Sequence, residues 1–272
     1  KNHRIKKKTL STKSLYINGC SFTRGDSLKE EQTWPYLLQK LIQPKYYIND
    51  SANGNSFGSI FYTTLTELSK MESYENLFVV IGITWSPRYA VFFDKIIASI
   101  TPADIFNGGT KTEFFDKRST HRRMVSHYFQ THPKPLDKNP EMDIQSNELD
   151  KNTGFDETLT SFAKFYANIT KNDPNIKNNQ NIALLTKVLA LQSFFEANKI
   201  NYKFIDFSQI TSLHTLDTPS INLKSKLNFN NIINLTEEDL NTKNFIDQKT
   251  SHPNKEGCEY IANKLFNIYN EL

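Results

Sequence analysis

Leu77-Phe78-Val79-Val80-Ile81 constrains this chain more than any other segment. A strand with one wet face alternates apolar and polar residues, whereas a strand covered on both faces reads as an unbroken apolar run. The segment therefore predicts a central strand of a parallel sheet with helices on either side. Its neighbours agree. Leu15 to Asn18, Tyr46 to Asn49 and Tyr202 to Phe207 read as further strands. Helical spacing recurs between them: Leu37, Leu38 and Leu41 within Trp34 to Ile42, then Ile60, Leu65 and Leu68, then Leu184, Leu185, Val188, Leu189 and Phe195. Pro253 is read as opening a last helix with Ile261, Leu265 and Ile268 on one face. Strands alternating with helices imply parallel βαβ units, hence an α/β fold with the sheet as the middle layer of three.

With 272 residues, 38% of them hydrophobic, the chain can form one large domain or two small ones. Asn107 to Thr112, Pro133 to Glu157 and Lys171 to Asn181 are poor in apolar residues and are read as loops of an insertion at about 100–182. Within it, Phe162, Phe165, Tyr166 and Ile169 have helical spacing and could cap the sheet edge, a separate second domain being the alternative. No apolar run approaches the roughly 18 residues of a membrane span.

The formal charge of +4 is carried by residues 1–13, which hold six basic side chains and no acid. Of the 33 basic and 29 acidic residues, 27 and 29 are then left for the remaining chain, so this segment reads as a solvated basic arm. The remainder of the chain gives no charge signal for a nucleic-acid partner. Two cysteines, Cys20 and Cys258, make neither a disulfide framework nor a paired metal-ligand spacing. His121, His127 and His132 match no metal motif, and no metal is expected. The sequence starts at Lys1, as it would if an initiator or leader were missing, and contains no signal-peptide apolar region. Localisation stays open, with the cytoplasm as the default, and so does the oligomeric state.

Ligands of open α/β sheets bind beyond the carboxyl ends of the strands, so the residues just after each strand carry the functional information. After the first stands Gly19-Cys20-Ser21-Phe22-Thr23, where a serine on a tight turn suits a nucleophile with a backbone N–H beside it. The alternative is a serine that only satisfies turn hydrogen bonds. The second strand is followed by Asn49-Asp50-Ser51-Ala52-Asn53-Gly54-Asn55-Ser56, in which Gly54 permits close backbone approach. The third is followed by Gly82-Ile83-Thr84-Trp85-Ser86-Pro87-Arg88, with a hydroxyl, an aromatic face and a guanidinium. Near the end, Ser251-His252-Pro253-Asn254 puts a histidine before the last helix.

These four pieces, in this order, resemble the SGNH or GDSL-type ester hydrolases, in a divergent branch with Cys where the usual first block has Asp. The resemblance spans residues 15–266, with no motif over 100–180. It implies a flavodoxin-like three-layer fold with Ser21 as nucleophile, His252 as base, and Ser21, Gly54 and Thr84 as oxyanion donors. No cofactor is implied. From their strand-end positions Asn55, Trp85 and Arg88 would contact the substrate, Arg88 by pairing with a carboxylate or phosphate, a loop-bracing ion pair with an acid such as Asp94 being the alternative for Arg88. The literal Gly25-Asp26-Ser27-Leu28 lies too far past the strand end to supply the nucleophile. Two positions depart from the family pattern: Thr84 replaces an asparagine, which predicts a weakened oxyanion hole, and Lys249 replaces the aspartate three residues before the histidine. Asp247 is then the nearest acid able to orient His252, a solvated loop carboxylate being the other reading. The activity implied is hydrolysis of a small acyl ester, with a carbohydrate O-acyl group as the substrate. An O-acyltransferase and a binding protein that has lost turnover remain the alternatives.

Overall fold

The computed structural model describes residues 13–25, 28–84, 88–92, 96–103, 109–116, 122–125, 174–208, 218–235, 240–247 and 252–272. In chain order the elements are β1 (Ser14–Asn18), α1 (Ser21–Arg24), α2 (Trp34–Ile42), β2 (Tyr46–Asn49), α3 (Phe57–Leu68) and β3 (Leu77–Ile83). Then come β4 (Tyr89–Phe92), β5 (Ile96–Ala103), β6 (Gly109–Asp116), β7 (Arg122–Val125), α4 (Pro174–Ala197), β8 (Asn201–Asp206), α5 (Thr218–Lys224), β9 (Ile232–Asn234) and α6 (Lys255–Asn270).

Every residue of β3 is buried, as its apolar run requires, and it lies at the centre of a five-stranded sheet of order β2-β1-β3-β8-β9. All four pairings are parallel. Successive side chains on a strand point to opposite faces, which sorts the core into two halves. On one face Leu15, Ile17, Phe78, Val80 and Ile205 pack with Trp34 and Leu38 of α2 and with Ile261 and Leu265 of α6. On the other, Tyr16, Val79, Ile81 and Phe204 pack with Ile60 and Leu68 of α3 and with Leu185, Val188 and Phe195 of α4. Each such buried Leu, Ile or Phe contributes about 1.5 to 3 kcal/mol over its exposed state. This is the expected α/β three-layer architecture.

The chain steps from β1 outward to β2 and returns past β1 to β3 on its other side. Loops leaving the carboxyl ends of β1 and β3 therefore part in opposite directions and open a crevice between them, the usual ligand position in such sheets. Asn18 pairs in register with Ile81, so Ser21 and Thr84 each lie three residues beyond that pair.

The insertion read as helix and loop contains more strand than expected. Its described residues include β5, β6 and β7, which with β4 form an antiparallel sheet of order β4-β5-β6-β7. Thr110 and Thr112, read as loop, pair with Pro102 and Ile100. Low apolar content had argued against a strand there, but antiparallel pairing is set by a partner strand that local composition does not reveal. Asn175 to Asn181 likewise belongs to α4, which starts at Pro174, a residue suited to a first helical turn. Pro253 does not open the last helix. Asn254 is its N-cap, accepting the Gly257 N–H at 2.8 Å, while Pro253 forms a bridge with Ile246. Phe162, Phe165, Tyr166, Ile169, the basic segment 1–12, and His121, His127 and His132 lie outside the described residues. Among the described residues no helix is long and apolar enough to cross a membrane.

Candidate active site

The turn that carries Ser21 is held from both sides. Asn18, wholly buried at the end of β1, accepts the Gly19 N–H at 2.8 Å and donates to the Thr63 and Thr64 hydroxyls of α3 at 2.8 and 3.1 Å. The Gly19 carbonyl accepts the Ala52 N–H and the Asn55 side-chain amide, both at 3.1 Å, from the loop after β2. Buried polar groups that find partners this completely leave the backbone little freedom. Cys20 adopts an extended conformation ahead of α1 and its side chain is buried in the core, while Gly25 ends α1 at φ 80°, in the left-handed region. Ser21 is the first residue of that helix, so its N–H has no intrahelical acceptor.

The Ser21 hydroxyl, on a residue only 5% exposed, lies 2.7 Å from His252 Nε2. For Nε2 to accept the hydroxyl proton, the ring must carry its own proton on Nδ1. The imidazole packs on the Phe22 ring, centroids 4.8 Å apart, and Phe22 packs in turn on Phe207 at 5.2 Å. The backbone around the histidine is also fixed: Asp247 N–H donates to the His252 carbonyl at 2.9 Å beside the antiparallel Ile246–Pro253 bridge. Residues directly opposed in an antiparallel pairing project to the same face, so the bridge makes Asp247 and His252 cross-strand neighbours.

Thr84, fully buried just past β3, accepts a hydrogen bond from Arg88 Nη1 at 2.8 Å. The same nitrogen donates to the Asn55 carbonyl at 3.3 Å. Gly54 takes φ 75° in the turn closed by Asn55 N–H on the Ala52 carbonyl at 3.3 Å, a conformation that favours glycine. Asn49, a strand-end residue like Asn18, accepts both the N–H and the hydroxyl of Ser51. Beside α1 a cavity of about 610 Å³ is lined by Arg24, Glu30, Thr33, Tyr47, Asn49 and Asn53 among others. Burial pushes the Tyr47 phenol above its usual range, so it stays protonated and able to donate. Burial also pushes the Cys258 thiol up to about 12, which removes it as a nucleophile.

Of the residues singled out from sequence, Ser21 and His252 are in hydrogen-bond contact, Asp247 is joined to His252 through the backbone, and Thr84, Asn55 and Arg88 are linked to one another. Trp85, Asp94, Lys249, Asp26 and Ser27 lie outside the described residues. Asn18, Phe22 and Thr23 were not singled out. A polar residue closing an apolar strand is the signal that Asn18 carried. Phe22 and Thr23 gave none, because their roles depend on ring stacking and on close approach to Gly82, far away in sequence.

One of those contacts is directly testable. A Cβ added at Gly82 would collide with the Thr23 hydroxyl and meet Phe207 at 3.3 Å, and one at Gly19 would strike Thr23 too. The two glycines therefore let α1 sit against the ends of β1 and β3. Gly82→Ala is expected to cost about 1 to 3 kcal/mol, read as a lowered urea midpoint. Thr23→Ala should recover part of that loss by removing the obstructing hydroxyl, which is buried and has no hydrogen-bond partner among the described residues. No recovery would place the strain elsewhere.

No family model matches the chain, and no curated protein matches its sequence. Solved structures similar to it include a member of the lipolytic protein G-D-S-L family from Veillonella parvula DSM 2008, at 12% identity and TM-score 0.45, covering 95% of this chain and 99% of that one. Another is the psychrotrophic esterase EstA from Pseudoalteromonas sp., at 12% identity and TM-score 0.40, covering 93% of this chain and 94% of that one.

Proposed function

We propose that this protein is a serine ester hydrolase acting on a small acyl ester, with an O-acylated carbohydrate as the substrate class. The observation that carries the reading is the 2.7 Å contact between His252 Nε2 and Ser21 Oγ across 231 positions of sequence. In this reading His252 takes the hydroxyl proton as Ser21 Oγ bonds to the acyl carbon. The carbonyl oxygen, now negative, is held by the N–H groups of Ser21 and Gly54 and by the Thr84 hydroxyl. Collapse breaks the bond to the alcohol, which leaves with the proton from His252, and water then releases the acyl group by the same sequence. Asp247 orients the imidazole and stabilises its charged form.

Incubation with a chromogenic acetyl ester and with an acetylated sugar, each with and without an acceptor sugar, tests the reading. Free acetate released at the same rate in both conditions is expected. Acetyl transfer to the acceptor in preference to water would make the protein a transferase, and no turnover of any ester by folded protein would overturn the proposal. Asp247→Asn is expected to lower kcat roughly 10²- to 10⁴-fold with the melting midpoint unchanged. An unchanged kcat would remove Asp247 from the site.

A further inference from the structure

We propose that Arg88 is a positioning residue of the oxyanion hole, acting through Thr84, rather than a contact to the substrate. The inference rests on the hydrolase reading and goes beyond it. A guanidinium has donors only, so in the 2.8 Å bond between Arg88 Nη1 and Thr84 Oγ the threonine must accept. A hydroxyl has a single proton. With one lone pair engaged by Arg88, the Thr84 hydroxyl is constrained to turn that proton toward another acceptor, and an oxygen gaining negative charge in the crevice is the strongest acceptor available there. The cation also polarises the O–H bond and strengthens it as a donor.

Arg88 links two loops as well. Its Nη1 holds the Asn55 carbonyl at 3.3 Å, and the Asn55 side-chain amide holds the Gly19 carbonyl at 3.1 Å, two residues before Ser21. The loop after β2, the loop after β3 and the nucleophile turn are thereby tied in one chain of hydrogen bonds. Arg88 thus sets the spacing between the Gly54 N–H and the Thr84 O–H, the donors contributed by the two loops. A short threonine can replace a longer amide side chain because the guanidinium beneath it fixes both its direction and its polarity.

The test is a double-mutant cycle on a neutral chromogenic acetyl ester, with Arg88→Gln, Thr84→Val and the pair, and with Arg88→Lys and Ser21→Ala alongside. Arg88→Gln is expected to lower kcat about 10- to 100-fold with KM nearly unchanged, and Thr84→Val about 10²-fold. The pair should fall well short of the product of the two single losses, because what Arg88 does through Thr84 is already gone and only its hold on the Asn55 carbonyl is left. Arg88→Lys should recover part of the loss by keeping a cationic donor. Losses that multiply in the pair would overturn the inference, as would a loss seen only as raised KM on an acetylated sugar acid. Thr84→Ala replaces Thr84→Val if the latter does not fold. Ser21→Ala separates the two levels: if it stays active, the hydrolase reading falls and takes the inference with it, whereas an inactive Ser21→Ala beside multiplying losses removes the inference alone.

Discussion

Replacing Ser21 by alanine is expected to lower kcat on a chromogenic acetyl ester by at least about 10⁴-fold while leaving the fold intact. The size of the effect follows from what the hydroxyl would do: without Oγ no acyl-enzyme forms, and the remaining donors can only polarise the ester toward water. The fold should survive because Ser21 anchors α1 through its backbone carbonyl, which accepts the Gly25 N–H at 2.9 Å, while its side chain bonds to His252. Measured kcat, with the thermal midpoint as control, decides the matter. Activity retained in a folded Ser21→Ala protein would move the nucleophile elsewhere.

His252→Gln is expected to lower kcat by about 10⁴- to 10⁶-fold, and combining it with Ser21→Ala should cost little more than either change alone. Residues that work as one unit lose their function together, so the second substitution removes what the first has already disabled. Glutamine can occupy the space against Phe22, whose ring lies 4.8 Å from that of His252, but it cannot take up a proton at neutral pH. A double variant in which the losses multiply would mean that the 2.7 Å contact serves structure and not proton transfer.

What the sequence made legible was decided by how local each cause was. β3 could be read because burial on both faces excludes polar residues from the strand itself, and the bounds of α2 and β2 coincide with the apolar spacing at Trp34–Ile42 and Tyr46–Asn49. The antiparallel strands β5 to β7 could not, since their pairing depends on register between segments, and the start of β6 around Thr110 and Thr112 is poor in apolar residues. The same division runs through the site. Ser21 and His252 stand at strand-end and helix-start positions that a sequence displays directly. Asp247 was legible only as the nearest acid, because the Ile246–Pro253 bridge that sets it opposite His252 is a matter of backbone folding. Asn18 finds its partners 45 and 46 residues away in α3, and no local pattern announces them. Arg88 was visible beside Thr84 in sequence, but whether its guanidinium turned inward to Thr84 or outward to a ligand required coordinates.

The central claim is that Ser21 is an activated nucleophile, and the most direct test is the site at which a fluorophosphonate probe bonds to the native protein. Such a reagent forms a stable phosphonyl ester only with a serine whose proton can be removed and whose oxyanion is stabilised. Digestion and mass spectrometry of the labelled protein are expected to find the adduct on the peptide containing Ser21, and to find none in His252→Gln. An adduct at Ser27, or no adduct in a folded protein that still turns over esters, would contradict the assignment.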